Sequence, residues 1–330
     1  MSEHSGLQIL ELEITNKCNL DCKHCYVDKK NPKTMDKKTL FRLIDEANQL
    51  EPHDLIFTGG EPLLEKELLF EAVNYAKGKS FKRIGLLTNG LLIDDNLADQ
   101  LKIFDIIQLS IDDVSYQEGK GYRPNYLSKL DSVLKLLKGK NIPLKIQCTI
   151  NKSNLKNFSK ILEYAKSLEI PIGFNRTSPV GSACSLDRKV ILQKEELKEA
   201  LELINSNLDP IMVKCSDPLT VLINKDKKDF TLESKKCICG GCTAGIAGCY
   251  VSVEGEVYAC ALLRVSVANI NKESLVNIWN DNAIFCKLRN RNNLKGKCNT
   301  CKFRAGCGGC RATANGLTGD MFEEDSFCWI

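Results

Sequence analysis

The chain is predicted to be of the α/β class, a parallel sheet built from successive strand–helix units and followed by a cysteine-rich module. Three observations predict this. Short apolar segments alternate with stretches of helical periodicity six times between residues 7 and 205. The segments are continuous apolar runs, as in parallel strands covered on both faces. The 17 cysteines of the 330 residues are concentrated at the two ends, three between residues 18 and 25 and eleven between 237 and 328.

The elements follow in order. Residues 7–15 alternate apolar and polar and form a first strand. Residues 36–50 form a helix with Leu40, Ile44 and Ala47 on one face and Asp36 as N-cap. Residues 54–58 are an apolar strand running into Gly59-Gly60-Glu61-Pro62, with a helix over 66–77. The strand at 83–88 ends in Asn89-Gly90 and precedes a helix over 94–103. The strand at 106–111 ends in Asp112-Asp113, before a helix over 125–138. Residues 144–150 and 155–168 are the fifth pair, and 170–175 and 195–205 the sixth. Residues 207–236 are lysine-rich and read as a connection between a first domain, 1–206, and a second, 237–330. The core of the first is expected to be separate from that of the second.

Composition bounds the function. Hydrophobic residues make up 43% and charged residues 27%, an ordinary globular balance. A net charge of +4 without a dense Lys/Arg run interleaved with aromatics argues against nucleic acid. No signal-like segment and no run of 18 apolar residues argue against a membrane. The expected location is the cytoplasm, where abundant cysteine means metal or redox chemistry rather than disulfides.

The first strand leads directly into Cys18, Cys22 and Cys25, spaced C-x3-C-x2-C and followed by Tyr26. Three thiolates on one loop hold three corners of a four-iron cluster and leave the fourth iron open. A structural zinc site is the alternative, with His24 as a fourth ligand. In the C-terminal module Cys242 is followed by twelve residues, Gly255, four residues and Cys260; then come Cys298-x2-Cys301-x5-Cys307-x2-Cys310 and Cys328. Paired C-x2-C also occurs in zinc ribbons, so one or two structural zincs, and with them a binding module without catalysis, are the other reading.

The two cysteine sets, with Gly59-Gly60-Glu61-Pro62, Leu275-Val276-Asn277-Ile278-Trp279 and Gly308-Gly309-Cys310-Arg311, resemble the radical S-adenosylmethionine (radical SAM) enzymes that carry a C-terminal SPASM domain. The resemblance covers nearly the whole chain. It implies an open, partial (β/α)6 TIM-like barrel and matches the count of six units, fewer than the eight of a closed barrel. It implies that Cys18, Cys22 and Cys25 hold a catalytic [4Fe-4S] cluster. SAM would be bound by Tyr26, Gly59, Gly60, Glu61, Asn89, Ser110, Asp112 and Arg123. Asp113 stands where a glycine is usual, so that loop departs from the pattern. Gln147 and Thr149 alternate on the fifth strand and are candidates for the barrel lumen. The resemblance also implies two auxiliary [4Fe-4S] clusters, one on Cys242, Cys249, Cys260 and Cys310, the other on Cys298, Cys301, Cys307 and Cys328. Cys237 or Cys239 is an alternative to Cys249. Cys286 has no assigned role.

The implied mechanism is one-electron cleavage of SAM by the reduced cluster. The 5′-deoxyadenosyl radical then abstracts a hydrogen atom from substrate, with flavodoxin or ferredoxin as electron donor. The implied substrate is a ribosomally made precursor peptide, which would gain a thioether, a carbon–carbon crosslink or an epimerised residue. A small molecule such as a tetrapyrrole is the alternative. Sulfatase-maturing relatives place an aspartate directly after the cysteine matching Cys260; Ala261 stands there, which disfavours that activity. The first strand begins near residue 7, so no leader-binding winged helix is expected before it. Leader recognition then falls to a separate protein or to a surface of the barrel, or the substrate is of a different class.

Overall fold

The computed structural model describes residues 6–115, 120–124, 126–185, 191–207, 212–223 and 241–330. Six strand–helix units are present: β1 (Ile9–Thr15) and α1 (Lys37–Gln49), β2 (Asp54–Gly59) and α2 (Lys66–Lys77), β3 (Arg83–Thr88) and α3 (Asp95–Gln100), β4 (Ile106–Ser110) and α4 (Leu127–Gly139), β5 (Leu144–Ile150) and α5 (Phe158–Ser167), β6 (Ile172–Arg176) and α6 (Lys194–Ser206). Their local causes are simple. Asp36 caps α1 by accepting from Thr39 N at 2.9 Å, and Leu40, Leu43, Ile44 and Ala47 form its buried stripe. Asp94 caps α3 in the same way through Leu97 N.

The strands pair in parallel and in chain order, β1-β2-β3-β4-β5-β6. Order without reversal is that of a barrel wall, not of a doubly wound sheet. One face of each strand packs on the helices. On β5 these are the buried Leu144, Ile146, Cys148 and Ile150, while Lys145, Gln147 and Thr149 are half-buried on the lumen face. The expectation of strands apolar on both faces therefore fails at the lumen, where Gln108, Gln147, Thr149 and Asn175 line a cavity. Six parallel strands do not fill their own interior, and the polar residues mark the space left for a ligand.

Two strands extend the wall beyond the sequence-based reading. β7 (Val213–Cys215), followed by α7 (Thr220–Ile223), pairs in parallel with β6. Both lie in the 207–236 segment read as a connection; its residues 208–211 and 224–236 lie outside the described set. At the other edge β8 (Gly248–Val251) pairs in parallel with β1, Leu10 opposite Cys249 and Glu11 opposite Tyr250. The predicted hairpin forms, with β9 (Glu256–Tyr258) and then β10 (Ser266–Asn269) antiparallel outside it. One sheet of ten strands results, ordered β10-β9-β8-β1-β2-β3-β4-β5-β6-β7.

The module continues through α8 (Leu275–Asp281), α9 (Ala283–Arg289), α10 (Gly296–Thr300) and α11 (Arg311–Thr318). Trp279 of α8 and Phe285 of α9 meet edge to face and are buried. The start of α8 is fastened to α1, where Leu275 N donates to Glu46 Oε2 at 2.6 Å. Leu10, Val251, Trp279 and Phe285 belong to one hydrophobic core. The barrel and the module do not have separate cores. The shared β1–β8 pairing makes their apolar faces continuous.

Candidate active site

The site forms where β1 to β6 end. The loop after β1 is held by side chains of its own. Asn16 Nδ2 donates to the carbonyls of Asp28 (2.9 Å) and Asn31 (3.0 Å), and Asn16 Oδ1 accepts from Lys33 N (2.6 Å). Thr15 Oγ1 donates to the Lys33 carbonyl at 2.7 Å. From outside, Lys23 N donates to the Tyr122 carbonyl and Ser182 N to the Cys25 carbonyl. Gly181 belongs to that second contact. Its φ is +56°, and a Cβ there would press into the Cys25 carbonyl. Cys18, Cys22 and Cys25 are thus presented together to one cavity of about 160 Å³. Burial pushes the Cys22 thiol up to about 11, with Arg123 opposing, and raises Cys18 as well. Binding metal there must displace protons.

The Gly59-Gly60 pair is dictated by contact. A Cβ on Gly59 would fall on the Thr15 carbonyl, and one on Gly60 on the Lys17 carbonyl, so the end of β2 lies directly on the cysteine loop. Both glycines line the cavity, as do Tyr26, Asn89, Ser110, Arg123, Gln147 and Thr149. Glu61 does not. It is fully buried, and its carboxylate accepts from Leu63 N (3.1 Å), Thr88 Oγ1 (2.7 Å) and Asn89 N (2.8 Å). It caps the 3-10 turn Pro62–Glu65 and ties β2 to β3. Asn89, so positioned, donates to Asn19 Oδ1 in the cysteine loop at 2.7 Å. Glu61 therefore serves the site through the turn it holds. Glu61→Ala is expected to lower stability by about 1–3 kcal/mol, from stranded donors, as well as to weaken SAM binding. Thermal melting alongside SAM titration checks this. Weaker binding with an unchanged melting point would mean direct contact with the ligand instead.

Asp112 is likewise a support. Its Oδ2 accepts from Arg123 Nε at 3.0 Å, and its Oδ1 accepts from Thr149 N at 2.8 Å. Arg123 reaches on to Cys22, Nη1 to Sγ 3.7 Å. His24 Nε2 lies 3.3 Å from Asp112. Burial holds His24 down to about 4 despite that carboxylate, so the ring is neutral at pH 7. It faces Asp112 and Arg123, which gives the zinc-loop reading no support.

In the module the cysteines fall into two groups. Cys298, Cys301, Cys307 and Cys328 line one cavity of about 250 Å³. Cys242, Cys260 and Cys310 are near enough for Cys242 and Cys310 to act electrostatically on Cys260. Cys249 stands apart. It pairs with Leu10 on β1, is buried in the core, and has Glu11 and Arg289 as its charged neighbours. Cys237 and Cys239 lie outside the described residues, and Cys286 is exposed. Among the described residues no three His, Cys, Asp or Glu side chains converge as ligands of a single ion. A zinc tetrahedron draws its thiolates onto one ion. Cysteines standing around a cavity suit a polynuclear cluster instead.

One further anchor has no counterpart among the sequence motifs. Arg176, at the end of β6, is buried and donates to Asp217 Oδ1 (2.7 Å) and to Asp325 Oδ1 (3.0 Å), and it pairs with Asp217 Oδ2. Asp325 Oδ2 in turn accepts from Cys310 N at 2.8 Å. This network joins the barrel to the turn that carries Cys310 and Cys328. Arg176 precedes no motif, and its partners lie 41 and 149 residues away, so spacing carries no signal of it.

Residues 12–167 match the radical SAM superfamily, and residues 242–302 match the SPASM iron-sulfur cluster-binding domain. The chain is a radical SAM enzyme with a SPASM domain. It is similar to the AdoMet-dependent heme synthase of Methanosarcina barkeri (strain Fusaro / DSM 804), 29% identical over 343 residues, 97% of this chain and 96% of the relative. It is also similar to the PqqA peptide cyclase of Granulibacter bethesdensis, 25% identical over 336 residues, 96% of this chain and 85% of the relative. In fold it resembles SuiB of Streptococcus suis, with a TM-score of 0.77 at 14% identity over 99% of this chain and 78% of that one. The AdoMet-bound anSMEcpe gives 0.73 at 21% identity, over 98% of this chain and 91% of that one. A radical SAM enzyme with a SPASM domain uses SAM and iron–sulfur clusters, and the cysteine groupings above fit both kinds of site. Among the described residues no helix is long and apolar enough to cross a membrane.

Proposed function

We propose that this radical SAM enzyme modifies a peptide, forming a thioether or carbon–carbon crosslink or an epimerised residue. The observation that carries the reading is the lining of the barrel lumen. Gln108, Ser110, Gln147, Thr149 and Asn175 give it carboxamides and hydroxyls that both donate and accept, as a peptide backbone requires. A ligand with several carboxylates needs several free cations. Of the arginines and lysines lining the cavity, Arg123 is engaged by Asp112, Arg176 by Asp217 and Asp325, and Lys29 by the Leu20 carbonyl and Asp21. Solved structures of similar fold support the reading: SuiB is known bound to precursor peptide SuiA, and anSMEcpe bound to the Cp18Cys peptide.

Cys18, Cys22 and Cys25 would hold the catalytic cluster, with Gly59 and Gly60 giving SAM close backbone approach and Asn89, Ser110 and Arg123 beside it. With SAM bound, that cluster supplies hydrogen-atom abstraction from an unactivated carbon. The chain positions the substrate carbon and excludes other hydrogen donors. Cys298, Cys301, Cys307 and Cys328 would hold one auxiliary cluster. Cys242, Cys260 and Cys310 would hold the other, its fourth ligand being Cys237 or Cys239 rather than Cys249. Electrons would come from a flavodoxin or ferredoxin, and a separate protein would deliver any leader segment.

A second reading, tetrapyrrole modification, is favoured by the heme synthase similarity, which spans nearly all of both chains. One experiment separates the two. Reduced holoenzyme with SAM is offered the small-peptide fraction of the native cell's extract or, separately, iron coproporphyrin III. A peptide made lighter by two hydrogens, or one whose mass is unchanged in H2O but rises by about one unit per site in D2O, with 5′-deoxyadenosine formed in step, is the expected result. Decarboxylation of the porphyrin with no change in any peptide would replace this reading by the second.

A further inference from the structure

We infer that Ser178 is a positioning residue for an auxiliary cluster: its hydroxyl donates to Cys310 Sγ and so raises the reduction potential of the cluster held by Cys242, Cys260 and Cys310. The inference rests on the reading of those cysteines as cluster ligands. Ser178 Oγ lies 3.9 Å from Cys310 Sγ and 3.4 Å from Thr313 Oγ1. A ligating cysteine is a thiolate and can only accept, so of sulfur and hydroxyl the hydroxyl is the donor.

Ser178 lies two residues beyond the end of β6 and lines the reaction cavity together with Arg176 and Thr177. Its position leaves little play. Thr177, before it, is bound twice to the Ile150 carbonyl, through N at 2.9 Å and through Oγ1 at 3.0 Å. Pro179, after it, is pressed on α11, where a Cβ on Gly316 would come within 2.5 Å of the Pro179 carbonyl oxygen. Ser182, four residues on, donates to the Cys25 carbonyl. One short segment thus runs from the Cys310 sulfur to the loop of the catalytic cysteines, and Ser178 borders both the reaction cavity and an auxiliary ligand.

The effect on the cluster follows from charge. Reduction adds an electron to a group already ringed by thiolates. A hydroxyl donating to one of those sulfurs stabilises the reduced form more than the oxidised one. It therefore raises the potential and makes the cluster the better electron acceptor. Ser178 is 3% exposed and Thr313 0%, so bulk water neither screens the contact nor replaces a lost donor.

The test is a redox titration of the holoenzyme followed by EPR. The signal lost or changed in Cys310→Ala marks the cluster concerned. In Ser178→Ala, at the wild-type midpoint of that signal, the ratio of reduced to oxidised cluster should fall roughly threefold to tenfold, the part of one hydrogen bond to a charged group that differs between the two redox states. The signals of the other clusters should keep their midpoints, and the iron content should be that of the wild type. An unchanged midpoint overturns the inference. So does a raised one, because a site merely loosened by the substitution admits water, which favours the more highly charged reduced form. Should Ser178→Ala not keep that cluster's iron, Ser178→Gly takes its place in the titration, and the same outcomes, midpoint lowered or not, decide the matter. If Cys310→Ala keeps the iron content and every signal of the wild type, the ligand reading itself fails, and the inference with it.

Discussion

Replacing Cys18, Cys22 and Cys25 together by alanine is expected to abolish SAM cleavage while leaving about eight irons in the module. The effect is total because nothing else in the cavity can take the place of three thiolates as iron ligands. The variant should still fold. The loop that carries the cysteines is pinned by Asn16 to Asp28, Asn31 and Lys33, and by Thr15 to Lys33, without any contribution from sulfur. Two of the three side chains are only half-buried, so truncation leaves no large cavity. Iron analysis and 5′-deoxyadenosine formation under reducing conditions are the measurements. Residual 5′-deoxyadenosine would place the catalytic cluster elsewhere. An iron content near zero would mean that the auxiliary sites depend on the first loop, which the fold gives no reason to expect.

Arg176→Met should be the most damaging single substitution outside the cluster ligands. It strands Asp217 and Asp325, both buried, and breaking one partner out of a buried ion pair costs about 3–5 kcal/mol. The loss should be directional. Asp325 holds Cys310 N and Phe327 N, so its displacement disturbs the turns that present Cys310 and Cys328. The variant is expected to melt well below the wild type and to lose module iron first, with SAM cleavage, where any protein survives, uncoupled from product. Arg176→Lys should not rescue it, because one ammonium cannot span two carboxylates as a forked guanidinium does. A wild-type iron content and melting point in Arg176→Met would show that the network is dispensable.

What is legible in the sequence is whatever depends on local spacing. The three-cysteine loop, the six strand–helix units and the C-x2-C pairs all lie within short windows, and the structure and family matches bear out the class. Functions decided by long-range pairing are not legible there. In sequence, Gly59 and Gly60 read as ligand-approach residues. Their first reason is the carbonyls of Thr15 and Lys17, more than 40 residues earlier. Glu61 and Asp112 read as ligand contacts, yet each spends its oxygens on the chain. An acid beside a motif looks the same in sequence whether it faces the cavity or braces the turn behind it. Cys249 fits the count of ligands but not the phase of its strand, in which Tyr250 stands opposite Glu11 on the lumen side and Cys249 opposite Leu10 on the other. Only the β1–β8 pairing reveals that phase.

The same pairing sets a limit on dissection. Because β8 is the outer neighbour of β1, a chain cut after residue 206 would uncover the backbone donors and acceptors of Leu10 to Leu12, along an edge whose core face carries the apolar Leu10 and Leu12. The other side of the wall would lose β7 and open β6 as well. An isolated barrel would then carry two bare strand edges, and such edges recruit further chains. The module is thus a shield against self-association as much as a holder of metal, and a minimal catalytic fragment of this enzyme should precipitate instead of working slowly.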